Sequence, residues 1–106
     1  MQLTKLVEDG AVVASLNASE RGPVIRELLE SLAAAGQIED SAVDPLQNAV
    51  MKRERKGSTG FGHGVAVPHA KTAMVDNIRI AVGLSSDGVE FNALDRQPVF
   101  AFFLLL

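Results

Sequence analysis

The sequence predicts an α/β fold, a mixed-sheet α/β sandwich with helices on both faces, in a single domain over residues 1–106. Three observations carry that reading. Val24, Ile25, Leu28, Leu29, Leu32 and Ala33 recur at three- and four-residue spacing, the period of one apolar helix face. Ile78, Ile80 and Val82 alternate at two-residue spacing, the period of a strand. The chain then runs unbroken through Val99, Phe100, Ala101, Phe102, Phe103, Leu104, Leu105 and Leu106, the pattern of a central strand covered on both faces. Helical segments followed by strands build layers of helix on sheet.

The elements follow in order. Residues 11–16 form a short strand. Ser19 is the expected N-cap of the first helix, with Glu20 favourable in its first turn. Gly36 stops that helix, because it takes up a left-handed conformation without penalty. Asp44 and Pro45 are expected to open the second helix as N-cap and first helical residue. Leu46, Ala49, Val50 and Arg53 share a face of it, and Gly57 ends it. Residues 57–70 are glycine-rich and read as a loop, with Val65, Ala66 and Val67 extended before Pro68. Residues 77–84 form a strand, Ser86-Asp87-Gly88 a turn, and Val89-Glu90-Phe91 the returning strand of a hairpin. Pro98 precedes the last, fully apolar strand.

Composition excludes several classes of function. At 106 residues and 47% hydrophobic, the chain can bury one core and is not a disordered tail. It has no cysteine, hence no disulfide, thiol nucleophile or cysteine zinc site, which fits a reducing compartment and a cytoplasmic location. No apolar run reaches about 18 residues, so no membrane insertion is expected. The opening Met1-Gln2-Leu3-Thr4-Lys5 does not have the make-up of a signal peptide. A formal charge of −3 speaks against general nucleic-acid binding. That charge is uneven. Residues 1–50 hold three basic and eight acidic side chains, net −5, whereas residues 51–106 hold seven and five, net +2. An anion is therefore expected in the second half.

The chemistry-bearing residues cluster there. The two histidines, His63 and His69, flank the glycine-rich stretch. Residues 60–65 fail the dinucleotide fingerprint, because Val65 stands at the third glycine and the stretch leads into a strand. Lys56-Gly57-Ser58-Thr59 has the letters of a P-loop in the wrong order. A zinc site on His63 and His69 with Asp76 or Asp87 would lack a specific spacing. A histidine after a proline can simply be a satisfied polar residue. It can also be a nucleophile toward a phosphoryl group, since an unperturbed imidazole titrates near ~6.5 and is largely neutral at pH 7. Such a site needs cationic and N–H donors around the phosphoryl oxygens. Lys52-Arg53-Glu54-Arg55-Lys56 carries net +3 in five residues and directly precedes the stretch. It reads either as a solvated helix end or as a phosphate clamp, for which arginine is well suited. Residue chemistry permits this last reading without selecting it.

The run Arg53-Glu54-Arg55-Lys56-Gly57-Ser58-Thr59-Gly60-Phe61-Gly62-His63-Gly64-Val65-Ala66-Val67-Pro68-His69-Ala70-Lys71 resembles the active-site signature of bacterial phosphotransferase-system enzyme IIA domains of the fructose, mannitol and nitrogen-regulatory type. Residues 88–99, Gly-Val-Glu-Phe-Asn-Ala-Leu-Asp-Arg-Gln-Pro-Val, resemble the same family's turn-and-strand block, so the resemblance covers essentially the whole chain. It implies that His69 is phosphorylated by the phosphocarrier protein HPr, or a nitrogen-branch relative, and passes the group to a IIB domain. A regulatory role, in which the phosphorylation state of His69 controls partner binding, is the alternative. Arg53 matches the arginine that steadies the phosphoryl group. Ser58, Thr59, Gly60, Gly62, His63 and Gly64 match the phosphate-binding backbone. No metal and no organic cofactor are implied.

Three departures stand out. His63 replaces a common asparagine and Ala70 a frequent glycine. The family's second active-site histidine lies in a helical part beyond the strand that here ends at Leu106. The chain is therefore expected to lack its C-terminal helical part and to transfer phosphoryl groups poorly. Leu104, Leu105 and Leu106 are expected to be uncovered, inviting aggregation or a homo-oligomer through that strand.

Overall fold

The computed structural model describes residues 11–106. The expectation that residues 1–5 do not begin a signal peptide falls outside the described residues. The elements are β1 (Ala11–Val13), α1 (Arg21–Ala34), a 3-10 turn (Asp40–Ala42), α2 (Val43–Lys56), β2 (Gly60–Gly62), β3 (Val65–Ala66), β4 (Ile80–Val89) and β5 (Val99–Leu105). They form a mixed five-stranded sheet in the order β1-β4-β5-β3-β2. The β1–β4 and β3–β5 pairs are parallel, and β4–β5 and β2–β3 are antiparallel.

Helix α1 buries the stripe its period predicts, with Val24, Ile25, Leu28, Leu29 and Leu32 all fully inaccessible. Its start differs from expectation. Glu20, not Ser19, is the N-cap, and no side chain caps it. Glu20 is held extended by a parallel bridge to Glu90, which keeps Ser19 a residue outside the helix. The approach is fastened instead by Glu27, whose carboxylate accepts from the backbone N–H of Asn17 and Ala18 at 2.9–3.1 Å. At the other end Gly36 stops the helix as expected. At φ +74° it places its N–H on Ala33 O and that of Gln37 on Leu32 O, the Schellman arrangement.

Helix α2 also starts earlier than expected. The 3-10 turn already sets a helical backbone at Ala42, so Val43 opens the helix and Asp44 and Pro45 are its second and third residues. Pro45 is tolerated there because first-turn N–H groups have no helical partner. The Asp44 carboxylate is engaged by Arg26 of α1 at 2.5 Å rather than capping. Gln47 reinforces the helix pair by accepting from Arg26 and donating to Gly22 O.

Helix α1 lies on β1 and β4 and α2 lies on α1, so both share one core with Ala81, Phe102 and Leu104. Gly83 lets α1 approach: a Cβ there would lie 2.6 Å from a Leu28 methyl and 3.1 Å from one of Leu16. Phe91 closes the core edge-on against Phe102, with ring centroids 5.2 Å apart.

Four expectations about the strands are corrected. The Ser86-Asp87-Gly88 segment is no hairpin turn. Leu84 pairs with Ala101 and Val89 with Val99, so β4 spends five steps where β5 spends two and the segment bulges out of a continuing strand. Gly88 at φ +84°, with its N–H on Ser85 Oγ, shapes that bulge. The glycine-rich stretch is not a plain loop. It is the β2–β3 hairpin, with His63 and Gly64 at φ 58° and 75° as central residues of a tight turn of the primed kind. Strand β5 offers no free edge for another copy, since β4 and β3 occupy both sides. Finally, Leu104 is fully buried on the helix side.

The two faces of the sheet differ. Strand register puts Val12, Val82 and Phe103 in one row on the face away from Ala81, Gly83 and Leu104, with Leu84 beside them. Val12 is 59% exposed, Leu84 45% and Phe103 36%. The expected helical cover is thus present on one face only among the described residues. No helix is long and apolar enough to cross a membrane among them.

Candidate functional site

His69 sits one residue beyond Pro68 on the line of β3. Its neighbours pin it to the central strand: Leu105 N–H donates to Pro68 O at 3.0 Å, and Ala70 N–H donates to Leu105 O at 3.2 Å. His69 itself pairs with Leu105 in the register that joins β3 to β5. The backbone of this residue is therefore part of the sheet, although its half-buried side chain faces an open cleft.

The imidazole is oriented by a local bond. His69 Nδ1 lies 2.9 Å from Val67 O. A carbonyl oxygen only accepts, so Nδ1 carries the proton in the neutral ring and Nε2 keeps its lone pair. The cleft, about 420 Å³, is lined by Ala49, Lys52, Arg53 and Lys56 of α2 and by His69, Ala70 and Lys71. Its four cations face one histidine, and no acidic side chain is among the lining residues. Such a site favours a polyanionic group close to Nε2. Three of these cations sit in the last two turns of α2, where they also offset the helix dipole. Arg53 Nη1 donates to Gly57 O at 2.8 Å, which anchors one side of its guanidinium and leaves the remaining N–H groups to the cleft.

The other sequence-predicted residues divide into two groups. Ser58 and Thr59 lead from α2 toward the site, and Thr59 O accepts from Val67 N–H at 3.2 Å. Their hydroxyls are already engaged. Ser58 Oγ donates to Phe91 O and accepts from Gly60 N–H, and Thr59 Oγ1 donates to Glu54. Gly60 pairs with Ala66, and a Cβ on it would press on Ala93 at 2.9 Å. Gly62, His63 and Gly64 are elsewhere. They form the hairpin tip, at the opposite end of β3 from His69. The backbone N–H of His63 donates to Asp95 at 3.3 Å. None of the three is among the residues lining the cleft that holds His69, and no cluster of metal-ligating side chains is found among the described residues.

Sequence reasoning missed the role of two residues. Lys71 completes the cationic lining from the strand side. Glu54 is 2% exposed and accepts from the Thr59 backbone N–H at 3.2 and 3.3 Å. Its signal was present, because Glu54 continues the buried stripe Leu46, Val50 at four-residue spacing.

A mixed sheet backed by helices, with one oriented imidazole in a cationic cleft at the end of β3, defines a class of small α/β domain equipped for a phosphoryl or similarly charged group. Comparison with known proteins makes this specific. The family described as "Phosphoenolpyruvate-dependent sugar phosphotransferase system, EIIA 2" matches residues 5–106. The chain belongs to this family. It is 38% identical over 105 residues to the fructose-specific EIIABC component of Bacillus subtilis, which covers 99% of the chain but only 16% of that protein's length. Its structure matches nitrogen regulatory protein IIA-Ntr of Neisseria meningitidis with a TM-score of 0.82 at 27% identity, over 96% of this chain and 68% of that one. The fold is also that of enzyme IIAMTL in its complex with phosphorylated enzyme IIBMTL from Escherichia coli, with a TM-score of 0.74 at 19% identity, over 90% of this chain and 65% of that one.

Proposed function

We propose that His69 is a covalent phosphoryl carrier, taking the group from a phosphorylated HPr-type donor and passing it to a IIB domain. The observation that carries the reading is the Nδ1–Val67 hydrogen bond beside a four-cation cleft, because it leaves the Nε2 lone pair free on a ring that lines a cleft suited to a phosphoryl group. In the step, Nε2 attacks phosphorus as the donor's P–N bond breaks, and the donor imidazole leaves with that electron pair. One P–N bond replaces another, so no water and no redox partner takes part. Arg53 is placed to receive the equatorial oxygens, with Lys52, Lys56 and Lys71 adding positive potential. Backbone at Ser58, Thr59 and Gly60 holds the strand start beside the site.

The test is incubation with phosphoenolpyruvate, enzyme I and HPr. An acid-labile, base-stable label on the folded chain, discharged by a IIB domain, is the expected result. No label on a folded chain would sink the reading.

A second reading keeps the same phosphorylated His69 but makes it a switch for partner binding. The similarity to nitrogen regulatory protein IIA-Ntr favours it. Label retained on His69 in the presence of a IIB domain, with a changed affinity for a regulatory partner, would distinguish it from transport.

A further inference from the structure

We infer that Glu54 is a positioning residue that sets the tautomer of His69 through Thr59 and Val67. The inference deepens the proposed phosphoryl transfer and depends on it for its kinetic consequence alone. Three hydrogen-bonded links connect the two side chains. The Glu54 carboxylate accepts from both the N–H and the hydroxyl of Thr59. Thr59 O accepts from Val67 N–H at 3.2 Å. Val67 O accepts from His69 Nδ1 at 2.9 Å.

The chemistry of Glu54 sets it apart from a packing residue. It stands where the α2 stripe would place an apolar side chain, and a buried carboxylate without strong donors is costly. No ion pair among the described residues includes it. Both of its oxygens are engaged by Thr59, the residue at which the chain leaves α2 for β2. That grip fixes the Thr59 carbonyl against Val67 N–H. The Val67 carbonyl belongs to the Val67–Pro68 peptide, which has no N–H of its own to anchor it. Weakening the grip lets Val67 O move off Nδ1. The ring is then free to carry its proton on Nε2, where it blocks attack.

The experiment is nitrogen NMR of the histidine rings in the 15N-histidine-labelled chain at alkaline pH. With only two histidines, the spectrum holds two ring systems, and exposed His63 is the internal reference. In the unsubstituted protein His69 is expected as the Nδ1–H tautomer. Glu54→Gln is expected to lower the ratio of Nδ1–H to Nε2–H at His69 roughly threefold to tenfold, the size of one hydrogen bond, with His63 unchanged. Phosphoryl uptake should slow by a similar factor with the KM for the donor unchanged. If Glu54→Gln does not fold, Thr59→Val, which keeps the backbone N–H, should shift the ratio while Thr59→Ser keeps it. An unchanged ratio in folded Glu54→Gln, or equal ratios in the two Thr59 variants, overturns the inference. Because the tautomer is read without phosphate, a shifted ratio in a chain that never takes label would leave the positioning intact and defeat the transfer reading instead.

Discussion

His69 Nδ1 lies 2.9 Å from the carbonyl oxygen of Val67, two residues upstream on the line of β3. That contact makes one ring nitrogen a donor and leaves the other with its lone pair free. It contributes little to the fold, since a single side-chain hydrogen bond is worth about 1 kcal/mol. His69→Gln should therefore abolish phosphoryl uptake while changing stability by no more than about 1 kcal/mol. Thermal unfolding alongside a labelling assay checks both parts.

Arg53 is expected to act through its fork rather than its charge alone. Lys in its place keeps the charge but cannot hold Gly57 O and a phosphoryl oxygen together. Charge-assisted hydrogen bonds are worth roughly 1.5–3 kcal/mol, so Arg53→Lys should slow transfer about 10- to 100-fold. Rapid-quench measurement of phosphoryl uptake gives the factor. A rate within twofold of the unsubstituted protein would remove Arg53 from the site.

The cations around the cleft predict a salt effect. Screening lengths fall from about 8 Å at physiological ionic strength to about 3 Å at 1 M. Raising salt should weaken encounter with a phosphorylated donor, and Lys71→Ala should flatten that dependence. Association rates across a salt series test this, and identical slopes for the two proteins would count against Lys71.

Three glycines make contrasting predictions for stability. Gly83→Ala forces a methyl to within 2.6 Å of Leu28 and should cost about 1–3 kcal/mol. Gly36→Ala meets no neighbour but must adopt φ +74°, at a cost of roughly 1 kcal/mol. Gly22→Ala has open space and an ordinary helical backbone, and should stabilise by roughly 0.5–1 kcal/mol. Denaturant unfolding of the three variants orders them, and Gly83→Ala ranking as the mildest would contradict the packing of α1 on β4.

The sequence was most informative where a period runs long. The α1 stripe and the Gly36 stop are as their spacing predicts, and β5 is a central strand as its apolar run predicts but is covered on one face only among the described residues. Local signals failed where a distant partner competed for the same group. Ser19 lost the N-cap to the Glu20–Glu90 bridge, Asp44 was taken by Arg26, and the turn residues at 86–88 became a bulge because Val99 holds Val89 in register. At the site, His69 and Arg53 were both singled out in the sequence and line one cleft. Gly62, His63 and Gly64 enter through the family resemblance, and they stand at the β2–β3 hairpin tip, not among the residues lining that cleft. Glu54 is hard to read from the sequence, because a charged residue in a basic run has the look of a surface residue.

The most direct test of His69 Nε2 as the phosphoryl acceptor is to locate the phosphate after labelling with phosphoenolpyruvate, enzyme I and HPr. Peptide mapping combined with phosphorus NMR distinguishes His69 from His63 and one ring nitrogen from the other. A single phosphohistidine at Nε2 of His69, with none at His63, is the predicted result. Phosphate on Nδ1 of His69, or on His63, would contradict it.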